Sequence, residues 1–144
     1  MGKKGVLGIV VPISGDEAMH NIFHGRSVHA SLAQEETTEL EKGDRIYFYD
    51  PENRDLVGEA VIADIAFELA RDVFIGREGK LFLDKEDYER YVSSLPDGEN
   101  SRMRVLHFKD PIMYANAVKC RIAIADGGTY MTAESFARIA KGNA

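Results

Sequence analysis

Two strands joined by a turn are predicted where apolar and polar side chains alternate most clearly, in residues 41–67. In the first half of this segment, Ile46 and Phe48 form one face and more polar side chains the other, which is the two-residue period of a strand. A proline with several Asn and Asp residues then favours a turn. In the second half both faces are largely apolar apart from Glu59, so we predict a strand that is covered on both sides.

Further strands and helices are predicted on either side of this hairpin. The S-x-x-E spacing of Ser14 and Glu17 is typical of a capping box and predicts a helix from Ser14 to His24. The remaining elements, predicted from apolar spacing and capping residues, are strands at 6–13, 26–32, 103–108 and 118–124, a helix capped by Asp84, and a helix capped by Thr132 with Phe136 and Ile139 facing inward. Residues 71–80 fit no single pattern. Short strands with few helices predict an α+β domain built on a closed, mixed β-barrel of five or more strands.

Length and composition indicate one soluble domain that covers residues 1–144. The 144 residues are enough for one core, and 44% hydrophobic and 29% charged residues are typical of a globular protein. No apolar run approaches the roughly 18 residues that suggest a membrane span, and no export signal is evident near Met1. Cys120 is the single cysteine, so no internal disulfide can form. We therefore expect a cytoplasmic protein without membrane contact.

The formal net charge of −6 constrains how the chain could bind nucleic acid. Nonspecific binding relies on Lys and Arg that neutralise phosphates, so an acidic chain needs a local basic patch instead. Acidic residues concentrate in 35–41 and 84–89, which leaves room for such a patch elsewhere. Its candidate residues are Lys3, Lys4, Arg26, Arg102, Arg104, Lys109, Lys119 and Arg121, each of which is equally explained as a solvated side chain.

Several segments of the chain resemble a known superfamily. After the capped helix come HGRSVHASL, KGDRIYFYD and LVGEAVIADI, which resemble the PUA-like superfamily of small mixed β-barrels, including the ASCH and EVE families. The later FLDKEDYERYV and GGTYMTAESFARI segments are similar to archaeal PUA-like proteins of unknown function. These motifs are fold signatures, so the resemblance implies a PUA-like mixed β-barrel with flanking short helices.

The resemblance also implies a groove between the first helix and the barrel, used to bind RNA or a modified nucleotide. Its residues in this chain would be Gly25, Arg26, Ser27, His29, Tyr47 and Glu59. A guanidinium can fork onto a phosphate or a base edge, and an aromatic ring can stack on a base. Two alternatives stay open: Arg45 or Arg26 only neutralises Glu59 within the barrel, or the domain binds another protein.

A third alternative is a small nucleoside amidohydrolase. Some ASCH proteins that this chain resembles hydrolyse acylated nucleosides with a lysine, a threonine and a glutamate. The nearest match is Gly25-Arg26-Ser27 with Glu59, so Ser27 and Glu59 would be the catalytic residues. Arginine remains protonated at any useful pH and cannot replace the lysine as a base or nucleophile. Binding without catalysis is therefore the favoured prediction.

Two histidines have the spacing of metal ligands. His20 and His24 lie four residues apart on the predicted helix, and His29 follows shortly after. The chain has no H-E-x-x-H motif, and histidines at a helix end are also favoured by the helix dipole. Cys120 has no C-x-x-C partner. We predict neither a metal nor a cofactor, and the oligomeric state does not follow from the sequence.

Overall fold

A six-stranded sheet flanked by short helices forms the described part of the protein. The computed structural model describes residues 5–13, 16–33, 38–125 and 127–142. The strands are β1 (Val6–Pro12), β2 (Val28–Leu32), β3 (Arg45–Asp50), β4 (Asp55–Leu69), β5 (Arg102–Lys119) and β6 (Thr129–Thr132), and the helices are α1 (Asp16–Phe23), α2 (Ala70–Val73), α3 (Lys85–Ser93) and α4 (Ala133–Gly142). Lys3, Lys4, Ser14 and the side chain of Glu17, and with them the predicted capping box, lie outside the described residues.

The strand order in the sheet is β2-β5-β4-β3-β1-β6. β1 and β3 are parallel and the other neighbours antiparallel, so the predicted mixed sheet of an α+β protein is confirmed. The order has two ends, where the sequence predicted a closed ring. Arg104 in β5 joins these ends, because it donates to the Ser31 hydroxyl of β2 at 3.3 Å and to the Gly127 carbonyl before β6 at 2.7 Å. The sheet is therefore open, and the Arg104 side chain links its two edges, β2 and the residues before β6.

The alternation of side chains along β3 separates two clusters of buried residues. Phe48 points into the main core, where two other phenylalanine rings meet it at centroid distances of 5.5 Å. Tyr47 and Tyr49 point to the opposite face and join a second cluster that includes Ile139 of α4. The two-residue period predicted for this strand is confirmed, and it divides the main core from the face that α4 covers.

The second half of the chain differs most from the prediction. The predicted strands 103–108 and 118–124 are replaced by a single strand, β5, because the long β4 pairs along its whole length with three register shifts. Residues 120–124 belong to no strand, although Cys120 is buried in the cluster that contains Ile139. β6 occupies a place where only a turn and a helix cap were predicted, and its backbone pairs with β1.

The predicted helix caps have different outcomes. Thr132 caps α4 as predicted, since its hydroxyl accepts the Ser135 amide at 3.1 Å and its own amide donates to the Ser135 hydroxyl at 2.8 Å. Asp84 is the N-cap residue of α3, but its side chain makes no cap bond and instead accepts from Arg26 at 2.8 Å. Phe136 was predicted to face inward but is 51% exposed. Whether a predicted capping side chain caps its helix depends on which partner it meets in the folded protein, as Asp84 and Thr132 show.

Candidate functional site

The predicted site residues Gly25, Arg26 and Ser27 lie together in the loop between α1 and β2. Gly25 has a φ of +114°, which lets the chain turn out of the helix. The Arg26 guanidinium pairs with the Asp84 carboxylate, and the Ser27 amide donates to the Lys80 carbonyl at 2.8 Å. The loop is therefore attached to the segment that leads into α3, and the charge of Arg26 is neutralised locally.

Glu59 and Tyr47 lie opposite each other in the antiparallel register of β4 and β3. One Glu59 carboxylate oxygen accepts from the Arg45 guanidinium at 2.7 Å, and the other accepts from the Tyr114 hydroxyl at 2.8 Å. Burial and then this bond raise the pKa of Tyr114, and burial followed by the Glu59 charge raises that of Tyr47. We call Arg45, Tyr47, Glu59 and Tyr114 the Glu59 cluster. The proposed neutralisation of Glu59 by Arg45 is what the structure shows.

A cavity of about 510 Å³ adjoins the Glu59 cluster on the face covered by α4. Its other walls are mostly apolar and come from Leu56, Val118, Met131, Phe136, Ile139 and Ala140. Each carboxylate oxygen of Glu59 already accepts one bond, so the charge at the polar end of this cavity is balanced within the Glu59 cluster.

Ser27 and Glu59 do not meet in this fold. The Ser27 carbonyl accepts from the Phe108 amide at 2.8 Å, whereas Glu59 pairs with Ile112. These points lie four residues apart along β5. They also lie on opposite sides of β5, because β2 and β4 flank it. The Ser27–Glu59 pair that hydrolysis of an acylated nucleoside would need is not formed.

His29 follows Ser27 by two residues and contacts the same segment, residues 80–84, that Arg26 and Ser27 bond. Its ring is 4% exposed and stacks on Phe82 at a centroid distance of 4.4 Å. Its Nδ1 atom is buried without a hydrogen-bond partner among the described residues. Burial, and to a smaller extent the Arg104 charge, lowers the pKa of His29 to about 3. The imidazole is therefore neutral near pH 7, with one nitrogen as donor and the other as acceptor.

A cavity of about 390 Å³ lies beside this ring, and we call it the His29 pocket. It is lined by aromatic rings, prolines, small side chains and aliphatic side chains, namely Pro12, Ala18, His29, Ala30, Ser31, Tyr49, Pro51, Phe82, Leu83, Tyr91 and Ile124. Sequence reasoning found only His29 among these residues. Phe82 and Tyr91 belong to a segment that the sequence marked as a fold signature, and only tertiary folding brings them beside β2, where the Phe82 amide donates to the Val28 carbonyl at 2.8 Å.

Comparison with known proteins identifies the family. A family model described as a domain of unknown function, DUF365, matches residues 6–133. The chain belongs to the DUF365 family. No curated protein sequence matches it.

Solved structures show which fold the DUF365 chain has. It is similar to the ASCH protein from Zymomonas mobilis, with a TM-score of 0.68 and 12% identity over 94% of each chain. A mutant of that protein gives a TM-score of 0.70 and 13% identity over 96% of this chain and 98% of the other. The N-terminal domain of Staphylothermus marinus McrB gives 0.55 and 12% identity over 98% and 99%. These likenesses confirm the expected ASCH-type, PUA-like fold, and the resemblance to archaeal proteins remains a prediction.

Other parts of the DUF365 chain offer weaker sites. A cavity of about 650 Å³ lies beside α2 and α3, and its charged lining residues are Glu78, Glu89 and Glu99 together with Arg71 and Lys85. His20 and His24 are exposed, and their ring centroids lie 4.2 Å apart in a stacked arrangement. Within the described ranges, however, no three His, Cys, Asp or Glu residues lie close enough together to hold a metal ion. No helix in the same residues is long and apolar enough to cross a membrane.

Proposed function

We propose that the DUF365 chain is an RNA-binding module that recognises a structured or modified nucleotide and holds its base in the His29 pocket. The observation that carries the proposal is the buried His29 ring, which stacks on Phe82 and has an unpartnered Nδ1 atom beside a cavity. A buried polar atom without a partner is costly, so its retention beside a cavity favours a ligand. We place the protein in the cytoplasm, which is compatible with its one free cysteine, Cys120.

The size and walls of the pocket suit a flat heteroaromatic ring. Small-molecule pockets usually measure roughly 300–1,000 Å³ and combine apolar walls with a few placed polar groups. Tyr49, Phe82 and Tyr91 supply aromatic surface, and Ser31 supplies a hydroxyl. Single-stranded RNA is read mainly through unstacked bases that stack on aromatic side chains and expose their edges to hydrogen bonds. These features favour a base over a phosphate or a sugar as the buried group.

The charges around the fold support specific rather than electrostatic binding. Several of the basic side chains considered from the sequence are engaged: Arg26 with Asp84, Arg104 with Ser31 and Gly127, and Lys119 with Asp55 at 3.0 Å. With 18 Lys and Arg against 24 Asp and Glu, the net charge of −6 disfavours extensive contact with phosphates. We expect roughly one or two phosphate contacts, and so a shallow dependence of affinity on salt.

Fluorescence titration against total cellular RNA at two salt concentrations tests the proposal. We expect saturable binding at low salt, reduced about tenfold or more in His29→Phe, which keeps a ring on Phe82 but removes the nitrogen atoms. His20→Phe is the matched control, since it makes the same change at an exposed histidine outside the pocket. Absence of saturable RNA binding by the native protein would refute the proposed function. An equal loss of RNA affinity in His29→Phe and His20→Phe would refute the His29 pocket as the binding site.

A further inference from the structure

The main chain of Ala30 occupies a particular position in β2. In an antiparallel pair, only alternate residues exchange hydrogen bonds with the partner strand, and those between them point their N–H and C=O groups away. The Ser27 carbonyl accepts from Phe108 at 2.8 Å, and the Ala33 amide donates to the Arg102 carbonyl at 2.9 Å. With the observed register, His29 and Ser31 therefore bond β5, whereas Ala30 directs both its backbone groups outward.

Other residues cover the outward edge of β2 on both sides of Ala30. Val28 donates to the Lys80 carbonyl at 2.9 Å and accepts from the Phe82 amide at 2.8 Å, and the Leu32 amide donates to the Tyr91 hydroxyl at 3.3 Å. Ala30 lies between them, and no group in the described ranges bonds its outward N–H or C=O. It is only 1% exposed and lines the His29 pocket. Its outward N–H and C=O are therefore buried at the wall of this pocket.

The geometry of this edge selects the kind of partner. A second strand cannot add here, because Phe82 and Tyr91 cover the edge before and after this single residue. A neighbouring donor and acceptor match a flat group that presents an acceptor beside a donor, which is the hydrogen-bonding edge of every unmodified nucleobase. The pocket also offers the imidazole of His29 as a further polar group, and the rings of Tyr49, Phe82 and Tyr91 as aromatic surface.

We propose that the main-chain N–H and C=O of Ala30 read the hydrogen-bonding edge of one unpaired nucleobase in the His29 pocket. This inference rests on the proposed RNA-binding function and adds the requirement that the edge of the base be free. Bases within a duplex are therefore excluded, because pairing already occupies that edge. A methyl group on the edge excludes a base as well, since it would take the place of a hydrogen bond and leave Ala30 buried without a partner.

The test compares each unmodified nucleoside with one form methylated on the hydrogen-bonding edge of its base and another methylated on its ribose. Adenosine, cytidine, guanosine and uridine are each titrated beside an edge-blocked form, namely N6,N6-dimethyladenosine, N4,N4-dimethylcytidine, 1-methylguanosine or 3-methyluridine. The 2′-O-methyl nucleosides are the matched controls, because they carry the added methyl on the ribose. We expect at least one parent nucleoside to bind, and its edge-blocked form to bind about tenfold more weakly or worse.

Amide NMR shifts of the same samples report on Ala30 directly. On binding, the Ala30 amide proton should move downfield as it gains an acceptor, while the Val28 amide, which already donates to Lys80, should move little. Equal affinity for parent and edge-blocked nucleosides, or an unmoved Ala30 amide, overturns the inference. So does RNA binding without binding of any nucleoside, and in each of these cases the RNA-binding function stands. If cellular RNA does not bind either, both proposals fail.

Discussion

The His29 pocket and the Glu59 cluster both contain polar side chains, but they differ in whether those side chains have hydrogen-bond partners. In the Glu59 cluster, each carboxylate oxygen accepts a short bond, one from Arg45 and one from Tyr114. In the His29 pocket, the Nδ1 atom of His29 is buried without a partner in the described part of the chain. In the first region the charged group is paired, whereas in the second a buried nitrogen of a pocket-lining residue has no partner among the described residues.

This difference separates a structural role from a binding role. A satisfied polar group contributes modestly to stability and has little to offer a ligand, while a buried unsatisfied group costs about 1–3 kcal/mol that a ligand can recover. Glu59 attracted attention in the sequence because it is a charge among apolar residues. The structure explains that charge by its partners and moves the candidate site to the uncharged His29.

The largest expected effect is a loss of stability in acid that depends on His29. The unfolded imidazole takes up a proton below pH 6.5, whereas the folded one remains neutral down to a pKa of about 3. Between these values the unfolded state binds more protons, so the free energy of unfolding falls by about 1.4 kcal/mol per pH unit as the pH drops. Denaturant unfolding at neutral pH and at about pH 4.5 should show a loss of roughly 3 kcal/mol attributable to this group.

His29→Phe provides the control for the acid effect, because the phenyl ring does not titrate. The variant should lose roughly 3 kcal/mol less than the native protein over the same pH interval. The pKa of His107 is also lowered, chiefly by burial, but that histidine is present in both proteins and cancels in the difference. Parallel pH profiles for the two proteins would contradict the buried, neutral state of His29.

A smaller effect is expected from Glu59→Gln. The amide can still accept from Tyr114, but it loses the ion pair with Arg45, whose side chain is 47% exposed and therefore screened by water. We expect a loss of about 0.5–1 kcal/mol in the free energy of unfolding. RNA affinity should change by less than about twofold, since distant sites act independently. A tenfold loss of RNA affinity in this variant, with the fold intact, would return the binding site to the Glu59 cluster.

The smallest expected effect concerns catalysis. Incubation of the protein with a panel of N-acylated cytidines, followed by chromatography, should show no release of the acyl group. The reason is that Ser27 and Glu59 lie on opposite sides of β5, and Arg26 cannot serve as a base. Turnover that disappears in Glu59→Gln would reverse this ranking and make the protein an amidohydrolase.

The sequence predicted the fold better than the site. The alternation of Ile46 and Phe48 with tyrosines and the cap at Thr132 were confirmed, because a side-chain period and a capping bond involve residues close in the chain. The predicted groove is divided in two: Gly25, Arg26, Ser27 and His29 lie together beside residues 80–84, whereas Tyr47 and Glu59 lie in the Glu59 cluster. Which of these residues meet depends on strand order. β6 and the continuous β5 were missed for the same reason, since their pairing partners lie far away in sequence.

By itself, the sequence determined the α+β class, the hairpin around Glu59, the two faces of β3 and the acidic balance that limits phosphate binding. These depend on local periodicity, turn chemistry and composition. Only the tertiary structure decided that Arg45 and Tyr114 bond Glu59, that Phe82 stacks on His29, and that Ala30 directs its main-chain groups away from β5. Hydrogen-bond satisfaction depends on which distant groups meet, and the local pattern of residues carries no information about that.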